Sequence, residues 1–227
     1  MISGMLLVHK PAGPTSHDVV QAARRTLGIR RIGHSGTLDP MAEGLLILLV
    51  GPATSRQQAF QGHDKVYEAT LRLGTQTDTG DATGRPVRTA PVPPLDRNRI
   101  ETLFAELTGP QVQRPPAYSA VKVRGRPAYW WTRKQQPVEL APRTVQVSAL
   151  ALTAFGSDTL AFQVHCSAGT YVRTLAETIA ERLGTIGHLA ALTRTRIGGF
   201  RLEDAKPLAW LQSAGADEVT RVLQPVA

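Results

Sequence analysis

Residues 65 to 73 alternate without a break: Tyr67, Ala69, Leu71 and Leu73 share one face, and Glu68, Thr70 and Arg72 share the other. A period of two is the signature of a half-buried strand. Shorter strands are expected over Gly4 to His9, stopped by Pro11-Ala12-Gly13-Pro14, and around Val145–Leu152 and Leu160–Cys166. Leu45 to Val50 is a continuous apolar run. It suits a strand or a buried helix, and periodicity does not separate the two. Helical spacing recurs three times. Val19, Val20, Ala23 and Leu27 follow Ser16 as a candidate N-cap and precede Gly28, which is C-terminal punctuation. Ile100, Leu103, Phe104 and Leu107 follow Asp96 as a cap and end at Gly109. Val172, Leu175, Ala176, Ile179, Ala180 and Leu183 line one face of a helix from about Thr170, closed by Gly184. Thr77 to Pro94 is rich in glycine and proline and reads as turns. This mixture of elements predicts an α+β (mixed α/β) fold.

At 227 residues with 42% hydrophobic content, the chain suits one large domain, or one with a small appendage. No apolar run approaches the roughly 20 residues that span a bilayer. Met5-Leu6-Leu7-Val8 is too short for a signal-peptide core. Cys166 is the single cysteine, which excludes an internal disulfide and a cysteine-rich zinc site. These features lead us to expect a cytoplasmic protein, a monomer without a membrane or an obligate protein partner. The net charge of +8 favours polyanionic partners. The excess is grouped: Arg24, Arg25, Arg30 and Arg31; Lys122, Arg124, Arg126, Arg133 and Lys134; and Arg194, Arg196 and Arg201. Composition alone fits a basic surface kept for solubility as well as it fits nucleic-acid binding. Between Pro127 and Pro142, Tyr129, Trp130, Trp131, Arg133 and Lys134 follow no clear period and read as an insertion or long loop. Aromatic and basic residues interleaved suit stacking on bases and phosphate contact, or simple anchoring of the loop by its tryptophans.

Several motif-like stretches fail on spacing. Gly33-His34-Ser35-Gly36 is half a nucleophile elbow, but Thr37 stands where glycine is required. Ser16-His17-Asp18 are adjacent and cannot form a relay. Asp78 to Gly84 lacks the late bidentate glutamate of a calcium loop. Cys166 shares the apolar face of Leu160, Phe162 and Val164, while His165 points the other way. No metal-ligand cluster or phosphate-cradling loop is left, so chemistry without a metal or cofactor is expected. Asp39-Pro40, on its own, is a turn dipeptide.

Taken in order, however, the segments resemble a known family. They are Lys10-Pro11-x-Gly13-x-Thr15-Ser16-His17-Asp18, Gly33 to Met41-Ala42-x-Gly44, Lys65-Val66-Tyr67 and Leu73-Gly74-x-x-Thr77-Asp78-Thr79-Gly80-Asp81. Pro115-Pro116-x-Tyr118-Ser119-Ala120-x-Lys122, Cys166-Ser167-x-Gly169-Thr170-Tyr171-Val172-Arg173-Thr174-Leu175 and Gly187-His188-Leu189 with Leu192 complete the series. Together they resemble the bacterial TruB-type pseudouridine synthases, which convert uridine 55 in the T loop of tRNA. The resemblance covers about residues 5 to 204.

The resemblance implies a pseudouridine-synthase fold, a mixed, largely antiparallel sheet flanked by helices, with tRNA as partner. It implies Asp39 as the nucleophile, Tyr67 stacked on the base and aiding proton removal from C5, and Arg173 as counter-ion of the aspartate. His34 would help extrude the uridine and Leu192 would wall the base pocket. Lys10, Gly36, Thr37, Lys65, Tyr118 and Lys122 are implied as further substrate contacts. An ionised carboxylate needs no general base, and a flipped base needs a wedge and a platform. Three routes stay open: attack of the carboxylate at C1′, addition to C6, or proton abstraction from C2′. A non-catalytic tRNA chaperone using the same surface is the alternative, and a hydrolase built on Ser35 or Ser16 a remote one.

Two features depart from the family. Ser55 stands after Gly51-Pro52-Ala53-Thr54 where lysine is common, with Arg56 next. The 127–142 segment lacks the usual glycine-containing pattern of the RNA-gripping insertion. Many members also carry a small RNA-binding PUA domain, and the residues after Asp204 are too few for that barrel. The expected organisation is a catalytic domain over 1–205, with an insertion at about 124–143, and a short tail over 206–227.

Overall fold

The apolar run at 45–50 is a strand in the computed structural model, which describes residues 2–136 and 138–226. In chain order the elements are β1 (Gly4–Lys10), α1 (Ser16–Leu27), β2 (Ile32–His34), β3 (Glu43–Val50), α2 (Gln57–Gly62), β4 (Lys65–Leu73), β5 (Thr75–Thr77) and β6 (Pro86–Thr89). There follow α3 (Arg97–Glu106), β7 (Gly109–Gln113), β8 (Lys122–Val123), β9 (Arg126–Pro127), α4 (Ala128–Arg133), β10 (Arg143–Phe155) and β11 (Thr159–Cys166). The chain closes with α5 (Val172–Arg182), β12 (Gly187–Ile197), β13 (Phe200–Arg201), β14 (Lys206–Pro207), α6 (Leu208–Ser213) and α7 (Ala216–Arg221). Two compact units divide the chain, residues 1–67 with 193–227 and residues 68–192, so that β4 and β12 each contribute to both.

In the first unit β3 is central. It pairs antiparallel with β1 from Gly4↔Val50 to Lys10↔Gly44, antiparallel with β2, and parallel with β12 at Thr193↔Glu43 and Arg194↔Gly44. β14 adds in parallel to β1. Both faces of β1 and β3 are covered, which explains why the run at 45–50 shows no alternation. Leu6, Val8, Leu46, Leu48 and Val50 pack under Val19, Val20, Ala23 and Leu27 of α1, together with Leu208, Leu211 and Val219. Met5, Leu7, Leu45, Ile47 and Leu49 form a second core with Ala53, Phe60 and Ile197. Within the expected tail over 206–227, α6 and α7 close the first core.

The N-cap of α1 differs from expectation. Thr15 is the cap, in a reciprocal capping box with Asp18. Ser16 is buried instead, and its hydroxyl accepts from Leu38 N at 2.8 Å and donates to Leu38 O at 3.2 Å. Gly28 ends the helix in the left-handed conformation, as its position suggests.

In the second unit the strand order is β4-β11-β10-β7, with β10 antiparallel to both its neighbours. Phe104 of α3 meets Phe162 edge-on at 5.8 Å, and Cys166 is buried beside Leu160, Phe162 and Val164. The turn-rich stretch holds a hairpin, β5 with β6. The β8–β9 hairpin opens the expected insertion, which holds β9 and α4, with Ala128 and Leu140 buried. Its residue 137 lies outside the described residues. Among the described residues no helix is long and apolar enough to cross a membrane.

Candidate active site

The loop between β2 and β3 carries Asp39, and backbone bonds hold it on both sides of that residue. Ser35, fully buried, donates its amide to Ile47 O at 3.0 Å and accepts from Ile47 N on its hydroxyl at 3.3 Å. Leu38 is tied to Ser16 of α1. Pro40 O accepts from Gly13 N at 2.7 Å, and Ala42 N closes a turn on Asp39 O at 3.1 Å. None of these bonds uses the Asp39 carboxylate. The side chain is half-buried on a loop whose position is set by its neighbours, as a nucleophile requires.

Lys10 completes the clamp from beneath. It is 0% exposed, and its ammonium donates to Pro11 O at 2.9 Å, Pro14 O at 2.8 Å and Pro40 O at 3.4 Å. Burial, then the Arg194 charge, pull its pKa down to about 8, while Asp39 and Glu43 oppose the shift. Lys65 is also buried, donating to Gln61 O at 2.6 Å and to His63 O. Both lysines, expected as substrate contacts, are thus engaged with backbone carbonyls.

His34 ends β2 half-buried, and its Nδ1 accepts the Gly36 amide proton at 3.2 Å. That bond requires a neutral ring with its proton on Nε2. Burial first, then Arg194 and His17, hold the His34 pKa below the ordinary histidine value. A depressed folded-state pKa gives stability that is present above the unfolded value and lost as the pH falls below it. His34 is therefore expected to titrate below about pH 6.5 in the folded protein and to show the Nε2–H tautomer by ¹⁵N NMR. A midpoint at or above that value would contradict the geometry.

Tyr67 lies at the start of β4 with 9% exposure. It does share its face with Ala69, Leu71 and Leu73, but its hydroxyl is hydrogen-bonded to Arg194. Arg194 is the residue that sequence reasoning misplaced. Grouped with Arg196 and Arg201 as basic surface, it is 1% exposed. Its Nε donates to Leu45 O at 2.8 Å and its Nη2 to Gly36 O at 3.2 Å. Burial pulls its pKa down, while Tyr67 and Asp39 favour the charged form. A signal was present: in β12, Leu192 and Arg194 are two residues apart and so on one strand face.

The second unit holds the remaining candidates apart from Thr37. Arg173, on α5, is 3% exposed. Its guanidinium donates to Thr79 O and Tyr118 O, both at 2.8 Å, and lies 4.0 Å from the Asp81 carboxylate. That carboxylate accepts from the hydroxyls of Thr79 and Thr83 at 2.8 and 2.6 Å and from Thr83 N at 3.0 Å. The 78–84 turn is thus a seat for Arg173. Among the described residues no group of histidine, cysteine, aspartate or glutamate could hold a metal ion. Leu192 is buried, Tyr118 half-buried, and Thr37 and Lys122 exposed.

In the insertion, Trp131 Nε1 donates to Val123 O at 3.0 Å, so this tryptophan anchors the segment. Around it lies a cation–aromatic surface: Arg126 is 5.6 Å and Lys134 5.9 Å from the Trp130 ring, and Arg133 5.4 Å from that of Tyr129. Such pairs keep cations and rings together where a polyanion with stacked bases would contact both.

The chain is similar to several known proteins. Residues 24–172 match the model of the TruB family pseudouridylate synthase N-terminal domain. A protein of Opitutus terrae named tRNA pseudouridine synthase B is 47% identical over 225 residues, covering 99% of this chain and 93% of that protein. One of the same name from Aromatoleum aromaticum is 47% identical over 226 residues, covering 100% of this chain and 73% of its own. Among solved structures, a chain from a Cbf5-Nop10-Gar1 complex matches with a TM-score of 0.74 and 28% identity, over 98% of this chain and 60% of that one.

Proposed function

The chain belongs to the TruB family of pseudouridylate synthases, and we propose that it isomerises uridine 55 in the T loop of tRNA to pseudouridine, acting as a monomer. The observation that carries this reading is the Asp39 carboxylate, half-exposed on a loop fixed by Ser16, Ser35 and backbone bonds, in the unit that also holds Tyr67 and Arg194.

In the reaction the uridine leaves its stack, with His34 helping to extrude it and Leu192 forming an apolar wall of its pocket. Tyr67 offers the ring on which the freed base stacks. The Asp39 carboxylate initiates breakage of the C1′–N1 bond, by attack at C1′ or C6 or as a base at C2′. The uracil turns and C5 bonds to C1′. The proton on C5 is then lost, with Tyr67 assisting, and N1 ends protonated, so atoms balance without a redox partner. Arg173 serves as counter-ion of the carboxylate, and its seat on Thr79 O, Tyr118 O and Asp81 limits the directions its guanidinium can point. Lys122 and the aromatic–basic surface of the insertion bind the RNA backbone and unpaired bases, with Gly36 and Thr37 lining the approach.

The test is to incubate the protein with an elongator tRNA transcript and map pseudouridine by carbodiimide modification and primer extension. A stop at the T-loop uridine alone is expected. Stops elsewhere with none in the T loop would refute the assignment of the site.

A further inference from the structure

Arg194 is, among the described residues, the largest fully buried side chain. Burying a guanidinium is costly unless its donors meet acceptors, and here each acceptor belongs to the site or frames it. Nη2 holds Gly36 O, three residues before Asp39 in the loop, and Nε holds Leu45 O, where that loop has become β3. The Tyr67 hydroxyl takes a further bond, and the Asp39 charge acts on the same group.

Two glycines of the loop motif adjoin Arg194. A Cβ on Gly44 would stand 2.3 Å from Arg194 O, and Gly36, at φ +134°, turns its carbonyl to the guanidinium. Gly36 and Gly44 thus flank Asp39 in sequence and both address Arg194. A structural role alone would need only the two carbonyls. It gives no reason to spend a donor on the hydroxyl of the residue proposed as base platform.

We propose that Arg194 is a positioning residue for the isomerisation, a buried cation that joins the Tyr67 ring to the Asp39 loop and holds platform and nucleophile in register. This rests on the functional reading above. In this proposal Arg194 acts through Tyr67 and the Asp39 loop rather than on the substrate. Its contribution is to orientation, so its loss acts on the chemical step and leaves tRNA affinity in place.

The test is single-turnover isomerisation at saturating tRNA with R194K, Y67F and the double variant, alongside tRNA binding. R194K keeps the charge but cannot reach three acceptors from one plane. It is expected to slow the chemical step about 100-fold, with the tRNA Kd within about threefold of wild type. The double variant should be little slower than the slower single one, because both break one contact. Independently of whether R194K folds, Y67F is expected to speed hydrogen exchange at the Gly36 and Leu38 amides. An R194K variant that matches the wild-type rate, or exchange unchanged by Y67F, overturns the proposal. A wild-type protein that forms no pseudouridine would instead sink the functional reading on which it rests.

Discussion

Asp39→Asn is expected to bind tRNA with wild-type affinity and to form no pseudouridine above background. The amide keeps the shape of the carboxylate but neither its charge nor its nucleophilicity. The loop should survive the change, because Ser16, Gly13 and Ala42 hold the backbone of Leu38, Pro40 and Asp39, and Ser35 ties the loop to Ile47. A fall of at least about 10⁴-fold in the single-turnover rate, roughly 5 kcal/mol of transition-state stabilisation, is the expected scale. Filter binding and single-turnover assays on one preparation separate the two effects. Undiminished product would end the assignment of Asp39. Loss of product together with loss of tRNA binding would show that Asp39 shapes the binding surface. A protein whose wild type binds tRNA but modifies nothing would be the chaperone of the alternative reading.

Gly44→Ala is expected to be the most destabilising single methyl group that can be added near the site. Gly44 pairs with Lys10 on one side and Arg194 on the other, at φ +113°. A Cβ there would lie 2.3, 2.7 and 2.9 Å from Arg194 O, N and C, all backbone atoms that cannot rotate away. Backbone strain of about 1–3 kcal/mol adds to the cost of parting two strands, so a loss of about 3–5 kcal/mol is expected. For a chain of this size that lowers Tm by roughly 10 °C. Gly62→Ala is the control. Its added Cβ meets nothing within 4 Å and its φ is not positive, so stability should stay within about 0.5 kcal/mol of wild type. Equal Tm values for the two variants in thermal unfolding would contradict the close strand approach.

Much of the fold could be read from side-chain periodicity. The alternation at 65–73, the α1 stripe and the Asp96 cap all describe elements that bury one face only, and such elements announce themselves. Where both faces are covered, as along Leu45 to Val50, periodicity vanishes and strand and helix look alike. β12 escaped notice because threonine and arginine in its second half mimic a polar loop. The six-residue α6 and α7 carry too few turns to show a stripe, and their order comes from packing on α1.

The site was legible in a different way. The Asp39 loop is an ordinary turn by composition, and only the ordered series of motifs gave it meaning. Charge misled where burial ruled: Arg194 reads as one of a basic surface group, yet it is buried with donors on backbone carbonyls, and Arg173 and Lys10 are buried in the same manner. A sequence records that a residue is charged. Whether carbonyls converge on it depends on loops such as Gly33 to Pro40 and Thr77 to Gly84, whose shapes no periodicity encodes.

The central claim, that this chain isomerises a tRNA uridine, is tested most directly by tritium release from tRNA transcripts carrying [5-³H]uridine. Forming pseudouridine replaces the C5–H bond with C5–C1′, so tritium must pass to water. Release is expected from a wild-type transcript, stopping once the T-loop uridine is consumed, with background release when that uridine is replaced by cytidine. No release from a folded, bound transcript, or release indifferent to the T-loop change, would contradict it.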